Sequence, residues 1–406
     1  MVHARLHRRE FLTRSSLIAL APSVPAFLTR AARAAENPYD GRILVVIQLS
    51  GGNDGVNTVV PYTDEGYAKH RDTLRLPTEQ LIKVNDRTGL HPALRPAADL
   101  LEDGRLAIVQ GVGYPNPNRS HDVSMAIWQT ARMDRSEHKT FGWLGRAMDQ
   151  RDVPADGAPQ AVLLGDDSPP VALRGRRSTS VALANLQDLK LASRPTVPDY
   201  RLTSAPGQDQ GDLAAFARRA TLDAYAAADL IDEVTRNATS DHSKYPATQL
   251  ADRLKSVAQL IKANFGTPVY YAIQPGYDTH AVQLPTHARL LQEIGGALKA
   301  FLDDLRTARL DDRVLVLCFS EFGRRVQEDA SLGTDHGTAG PVFLAGPCVI
   351  AGMVGLTPSL IDLEDGDLKA AIDFRQVYAT ILHQWLGITS PSVLTNSFEL
   401  LPIINA

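Results

Sequence analysis

VLVLCFSEFGRRVQEDASLGTDHGTAGP, residues 314–341, carries the chain from an apolar run straight into acids, arginines and a histidine. The run VLVLCF shows no polar alternation, the pattern of a strand covered on both faces of a parallel sheet. Ser320, Glu321, Arg324 and Arg325 follow at its carboxyl end. Asp335, His336 and Gly337 then arrive on a glycine-rich loop before a second apolar run, VFLAG. In open α/β sheets ligands bind beyond the carboxyl ends of the strands, so these side chains are the first candidates for a site.

Three other segments repeat the design. RILVVIQL (42–49) runs into SGGNDG, which puts Asp54 at the end of a strand, with glycines that let the chain pass close to a ligand. LAIVQGVG (106–113) leads through YPNPNRSH to a helix over about 122–133, so that Ser120 and His121 sit at a helix amino terminus, where N–H groups favour negative charge. TPVYYAIQ (267–274) leads to PGYDTH, with Asp278 and His280, and His287 opens the next helix. Helical patterns over 64–104, 212–264 and 287–308 alternate with these strands. Helix then strand, repeated, means crossover connections and a mostly parallel sheet.

A parallel sheet brings all four loops to one edge. Asp54, Asp278, His280, Glu321, Asp335 and His336 crowded there would be costly to desolvate without a neutralising cation. A metal site, with two positions, is therefore the expectation. Mixed carboxylate and imidazole donors suit Zn²⁺ or Mn²⁺. A metal pair can bind both the attacking and the leaving oxygen of a displacement at phosphorus or sulfur. Ser120 is the candidate nucleophile, His121 a second catalytic candidate, and Arg324 the group to stabilise transition-state charge. Each of these residues is also an ordinary turn or cap residue when taken singly; Ser120 has the position of an N-cap.

The flanks bound the rest. Residues 1–35, with Arg8-Arg9, a short apolar stretch and an Ala-rich exit, read as a twin-arginine signal, which makes the translocation machinery a partner and the periplasm or exterior the destination. The apolar stretch is too short and proline-broken for a stable membrane span. Residues 36–406 form the mature domain. Within it 151–212 breaks periodicity and reads as an insertion or cap, from which Arg174, Arg176 and Arg177 could meet an anionic substrate. Cys318 and Cys348 read as buried thiols. A net charge of −4 over 406 residues gives no basic footprint for nucleic acid. No dinucleotide fingerprint, cysteine cluster or haem motif supports a redox role.

LSGGNDGVNTVVP, LHPAL, GVGYPNPNRSHDVSMAIWQTA, YDTHAVQ, SEFGRRVQEDASLGTDHGTAGP and DFRQVYATILHQWLG together resemble the twin-arginine-exported domain of unknown function 1501 family, over essentially the whole mature chain. That family is similar to the alkaline phosphatase and sulfatase superfamily. The resemblance implies an alkaline-phosphatase-like three-layer α/β sandwich, with a mostly parallel central sheet and helices on both faces. It also implies a metal-dependent hydrolase acting on small anionic phosphate or sulfate esters. Asp54 matches the acid after the first strand and Ser120 the loop nucleophile. Asp278 and His280 match an Asp/His pair that His336 completes, and Glu321 stands where an aspartate is usual. Phe322 stands where a second metal would have its histidine. The alternative is a catalytically degenerate periplasmic binding protein for an anionic ligand or partner.

Overall fold

A computed structural model describes residues 41–138, 140–151, 158–184 and 244–405. The expected signal at 1–35, the rest of the expected insertion and the first half of the 212–264 helical pattern lie outside the described residues. The strands are β1 (Ile43–Ser50), β2 (Val59–Val60), β3 (Ile82–Lys83), β4 (Gly89–Leu90), β5 (Leu106–Gly113), β6 (Ala161–Leu164), β7 (Ser180–Leu183), β8 (Val269–Pro275), β9 (Val314–Ser320), β10 (Gly340–Ala345), β11 (Gly352–Val354) and β12 (Ile372–Asp373). Nine of them make one sheet in the order β11-β5-β10-β9-β1-β8-β6-β7, with β12 also beside β5. β2, β4 and β3 form a small antiparallel sheet.

The run that opens the chain's reading, β9, lies in the middle. It pairs in parallel with β1, which pairs in parallel with β8, while β10 runs antiparallel to both β9 and β5. Every residue of β9 is buried, which explains why its sequence lacks alternation. Successive side chains still go to opposite faces. Ile43, Val45, Ile47 and Leu49 of β1 join a core with helices Arg95–Glu102, Gln249–Lys262 and Gln283–Thr307. Leu44 and Val46 join a second core with helices His121–Thr130, Trp143–Met148 and Phe374–Thr380. The fold is thus the expected three-layer α/β sandwich with a mostly parallel sheet.

Two segments differ in detail from the sequence reading. In its described part, 158–184, the segment read as an insertion or cap supplies β6 and β7, which extend the main sheet in parallel beyond β8. Each strand has only four residues, too few to show a period between proline- and glycine-rich turns. The helix expected to open at His287 begins at Gln283, because Pro285 falls in the first turn, where a missing N–H breaks no helical bond. His287 is consequently an interior residue, 1% exposed. Cys318 and Cys348 are both free thiols, the first buried and the second partly so. No described helix is long and apolar enough to cross a membrane.

Candidate metal centre

Three loops at the carboxyl edge of the sheet build the centre. β5 feeds the loop that ends at His121, the first residue of a ten-residue helix. β8 feeds the loop holding Asp278 and His280. β9 feeds the excursion 321–339, which doubles back through a bridge between Arg324 and His336 before β10 returns. Gly51, after β1, makes room for the second of these loops: it has φ +123°, and a Cβ there would sit 2.3 Å from the Asp278 backbone nitrogen.

Four donor atoms converge. His280 Nε2 lies 2.9 Å from His336 Nε2. The Asp278 Oδ1 lies 3.1 Å from each of these nitrogens and 3.5 Å from His121 Nε2. Ligands of a tetrahedral zinc ion at roughly 2.0–2.1 Å stand about 3.3 Å apart, a spacing that the separations around Asp278 Oδ1 approach. His121, Asp278 and His336 each offer an atom within 4.8 Å of the other two, and His280 Nε2 adjoins two of the three. The other nitrogen of each imidazole is engaged. His121 Nδ1 is 2.9 Å from Glu321 Oε1, His336 Nδ1 is 2.7 Å from the Arg119 carbonyl oxygen, and His280 Nδ1 is 3.4 Å from Asp335 Oδ1. His336 Nε2 is hydrogen-bonded to Asp278 and to His280 Nε2; with the protons on Nδ1, a shared cation would replace those contacts. His121 Nε2 is buried without a hydrogen-bond partner. The donor set fits a divalent ion.

The surroundings fix these groups. Ser124, one turn into the helix from His121, donates to the Glu321 carbonyl oxygen at 2.5 Å. The Phe322 ring packs on His121 and His336, with centroids 5.0 and 4.8 Å away. Burial pushes the Asp278 carboxyl up, but hydrogen bonds from Arg324 and His336 and the Arg324 charge hold it down, at about 2. The hydrogen bond to Glu321 raises the His121 imidazole against the opposing effect of burial.

The structure separates the remaining candidates. Asp54 does not join the donors. It is fully buried and paired with Arg71 at 2.6 Å, bonded by Gln283 and by the backbone of Val56 and Asn57, where it caps the turn Gly55–Thr58. Burial raises its carboxyl, yet the Arg71 charge and hydrogen bonds hold it at about 2. It is a structural anion rather than a ligand. Arg324 is also corrected: it is 1% exposed, and its guanidinium donates to the carbonyls of Gly51, Gly52, Tyr277 and Thr334 and to Asp278. It positions loops and a ligand and has no face left for substrate. Glu321 meets His121 Nδ1 instead of joining the donors around Asp278, and Asp335 stands on the Nδ1 side of His280 with Asp329. Phe322 is apolar and Asp54 engaged, so neither contributes donors to a second position. Among the described residues, His280, Asp329 and Asp335 form a second group, partly exposed, whose donor atoms lie within 4.8 Å of one another. Ser120 is exposed beside His121, and its hydroxyl makes no cap bond.

Sequence reasoning missed Arg71, Gln283 and His287, which surround Asp54. His287 Nε2 is 3.0 Å from Asn53 Oδ1, and burial pushes its imidazole down to about 4. Arg71 lies within the 64–104 helical pattern without a motif to mark it, Gln283 precedes the expected helix, and His287 reads only as the residue that opens it.

The model of the family described as "Protein of unknown function (DUF1501)" matches residues 42–397. No curated protein is significantly similar to the chain in sequence. Among solved structures, the lipoteichoic acid synthase LtaP from Listeria monocytogenes is 9% identical with a TM-score of 0.40, over 90% of this chain and 76% of that one. The C-terminal periplasmic domain of EcEptC from Escherichia coli, in complex with zinc, is 9% identical with a TM-score of 0.37, over 75% and 73%. A protein in the alkaline phosphatase superfamily from Vibrio parahaemolyticus is 11% identical with a TM-score of 0.37, over 88% and 70%. Superpositions this loose carry no argument about chemistry.

Proposed function

We propose, for this chain, which belongs to the DUF1501 family, the function of an exported metal-dependent hydrolase of phosphate or sulfate esters. The observation that carries the reading is the convergence of three imidazole Nε2 atoms on the Asp278 Oδ1, each ring held through its other nitrogen. His121, Asp278, His280 and His336 would hold one ion. Three nitrogens and one oxygen at this spacing suit Zn²⁺ best, with Mn²⁺ second. The ion would polarise an ester oxygen as a Lewis acid.

The other residues act around that set. Glu321, Asp335 and the Arg119 carbonyl orient the rings, and Arg324 orients Asp278. Ser120, exposed at the amino end of the helix, is the nucleophile of this reading. Its oxygen would bond to phosphorus or sulfur as the ester alkoxide leaves, and water would then restore the hydroxyl. Helix N–H groups at that end favour the developing negative charge. The amino-terminal arginine pair supports twin-arginine export of the folded protein. A second reading, an anion-binding protein without chemistry, is favoured by one observation: no described side chain stands bonded to the Ser120 hydroxyl as its base.

Emission spectrometry on the mature protein and on a His121→Ala/His336→Ala variant tests the centre. About one equivalent of metal in the wild type, lost in the variant, is the expected result. Folded wild type that retains no ion after reconstitution with Zn²⁺ and Mn²⁺ overturns it. Ser120→Ala should keep its metal and lose turnover of aryl phosphates, phosphodiesters or sulfates. A metal-loaded wild type inert towards all three favours the second reading.

A further inference from the structure

Arg324 is sealed among carbonyls, so any arginine that meets the substrate has to come from elsewhere. Two others flank the centre. The Arg119 carbonyl accepts from His336 Nδ1 at 2.7 Å, and Arg119 directly precedes Ser120. The Arg325 backbone N–H donates to the Asp335 carbonyl oxygen at 3.0 Å, next to His336 on its other side. Both guanidinium groups turn to the same carboxylate, Asp367, which is fully buried. Arg119 is hydrogen-bonded to Asp367 Oδ2, and Arg325 Nε stands 3.7 Å from Oδ1. Arg325 also donates to the Asp365 carbonyl oxygen at 3.1 Å. Asp367 Oδ1 has no hydrogen bond. Among the described residues neither arginine has a second ion-pair partner, so both guanidinium groups rest on the one Asp367 carboxylate.

The side chains of Arg119 and Arg325 are 40% and 33% exposed, open enough to receive a ligand on the face turned away from Asp367. Asp367 itself is set in a tight turn, its N–H and carbonyl both bonded to Glu364. The planar fork of a guanidinium matches two oxygens of a tetrahedral oxyanion, and each of these half-exposed forks has N–H groups beyond those that meet Asp367. We propose that Arg119, backed by Arg325, binds the oxyanion of the substrate beside the metal centre, with Asp367 as the positioning residue that holds both guanidinium groups. This rests on the hydrolase reading for the identity of the ester and refines it: the group recognised is a phosphate or sulfate.

The test is calorimetric titration of inorganic phosphate, and separately of sulfate, into zinc-reconstituted wild type, Arg119→Ala, Arg119→Lys and Arg325→Ala, with zinc content measured on each. Zinc content should not change. Phosphate or sulfate should bind at least about 10-fold more weakly to Arg119→Ala, with Arg119→Lys recovering only part because an ammonium cannot bond two oxygens in one plane. The anion that loses more identifies the ester class. Since Arg119→Ala leaves Asp367 with one partner, the Arg119→Ala/Asp367→Asn variant checks that the loss is not a folding defect; it should lose the anion equally. Arg119→Ala with full zinc and anion affinity within about twofold of wild type overturns the proposal, as does a wild type that binds neither anion. Titration of the metal-free protein separates the two readings. Arg119-dependent anion binding without any stoichiometric zinc would leave the clamp standing and the metal centre refuted.

Discussion

Arg71→Met, with Asp54→Asn beside it, asks whether Asp54 is a structural anion or a metal ligand. Arg71 and Asp54 are both 0% exposed and meet at 2.6 Å, and Arg71 also donates to the carbonyls of Val326 and Arg325. Removing one partner of such a pair leaves an uncompensated buried charge, a loss of about 3–5 kcal/mol. The pH dependence supplies a second signature. In the wild type the folded carboxyl stands at about 2, below the ordinary 3.8 of an exposed aspartate. The difference contributes stability above about pH 4 that is lost as pH falls through 2, roughly 2 kcal/mol in all. Without Arg71, desolvation of Asp54 is opposed only by the hydrogen bonds from Gln283, Val56 and Asn57 and the field of His287. Its pKa therefore rises, and the Arg71→Met defect should shrink as the pH is lowered from 7 towards about 4.5. Urea denaturation at several pH values reads both quantities, and emission spectrometry reads metal. Asp54→Asn should keep its full zinc content. A loss below about 1 kcal/mol for Arg71→Met, or loss of zinc in a folded Asp54→Asn variant, would refute the assignment.

Glu321→Gln should weaken zinc affinity by about 10- to 100-fold while leaving the stoichiometry intact, because Glu321 orients His121 rather than binding the ion; competition with a chromophoric chelator measures it. Gly51→Ala should cost about 1–3 kcal/mol and displace the Asp278 loop, since the new Cβ would meet the Asp278 nitrogen at 2.3 Å with φ at +123°. Wild-type melting temperature and zinc uptake in that variant would contradict the close approach. Burial holds His91 and His287 down at about 4, so both stay neutral when folded. Their folded pKa lies below the unfolded value, so stability should fall as pH drops from about 6.5 to 4, by up to roughly 3 kcal/mol for His287. His287→Gln should flatten that slope, and an unchanged slope would show that His287 is not its source.

The strand framework and the edge at which chemistry gathers were legible because each depends on local pattern. VLVLCF and ILVVIQL are apolar without alternation, and only strands buried on both faces have that composition. Asp278, His280 and His121 stand out because each follows such a strand within a few residues, whereas His336 stands out by the glycine-rich loop that carries it, and His121 reads as a catalytic candidate rather than a ligand. The pairing of the charged groups was not legible. The NDG turn at Asp54 has the composition of a ligand loop, yet Arg71, 17 residues on, closes over its carboxylate. The arginine of SEFGRR that looked free for substrate is the one folded into the interior, while Arg119 and Arg325 remain at the surface. The runs AVLL and SVAL were too short to show a period.

A mostly parallel α/β sandwich, and the loops that carry acids and imidazoles, follow from residue order alone, because periodicity and strand ends are properties of neighbouring residues. Which donors meet is set by the packing of distant segments. Glu321 reaches His121 across 200 residues of chain, and His336 reaches Asp278 across 58. Whether a carboxylate binds a ligand, orients an imidazole or neutralises an arginine depends on separations of a few ångströms between such distant segments. Hydrogen bonds and ion pairs fall off over that range, and sequence order does not specify it.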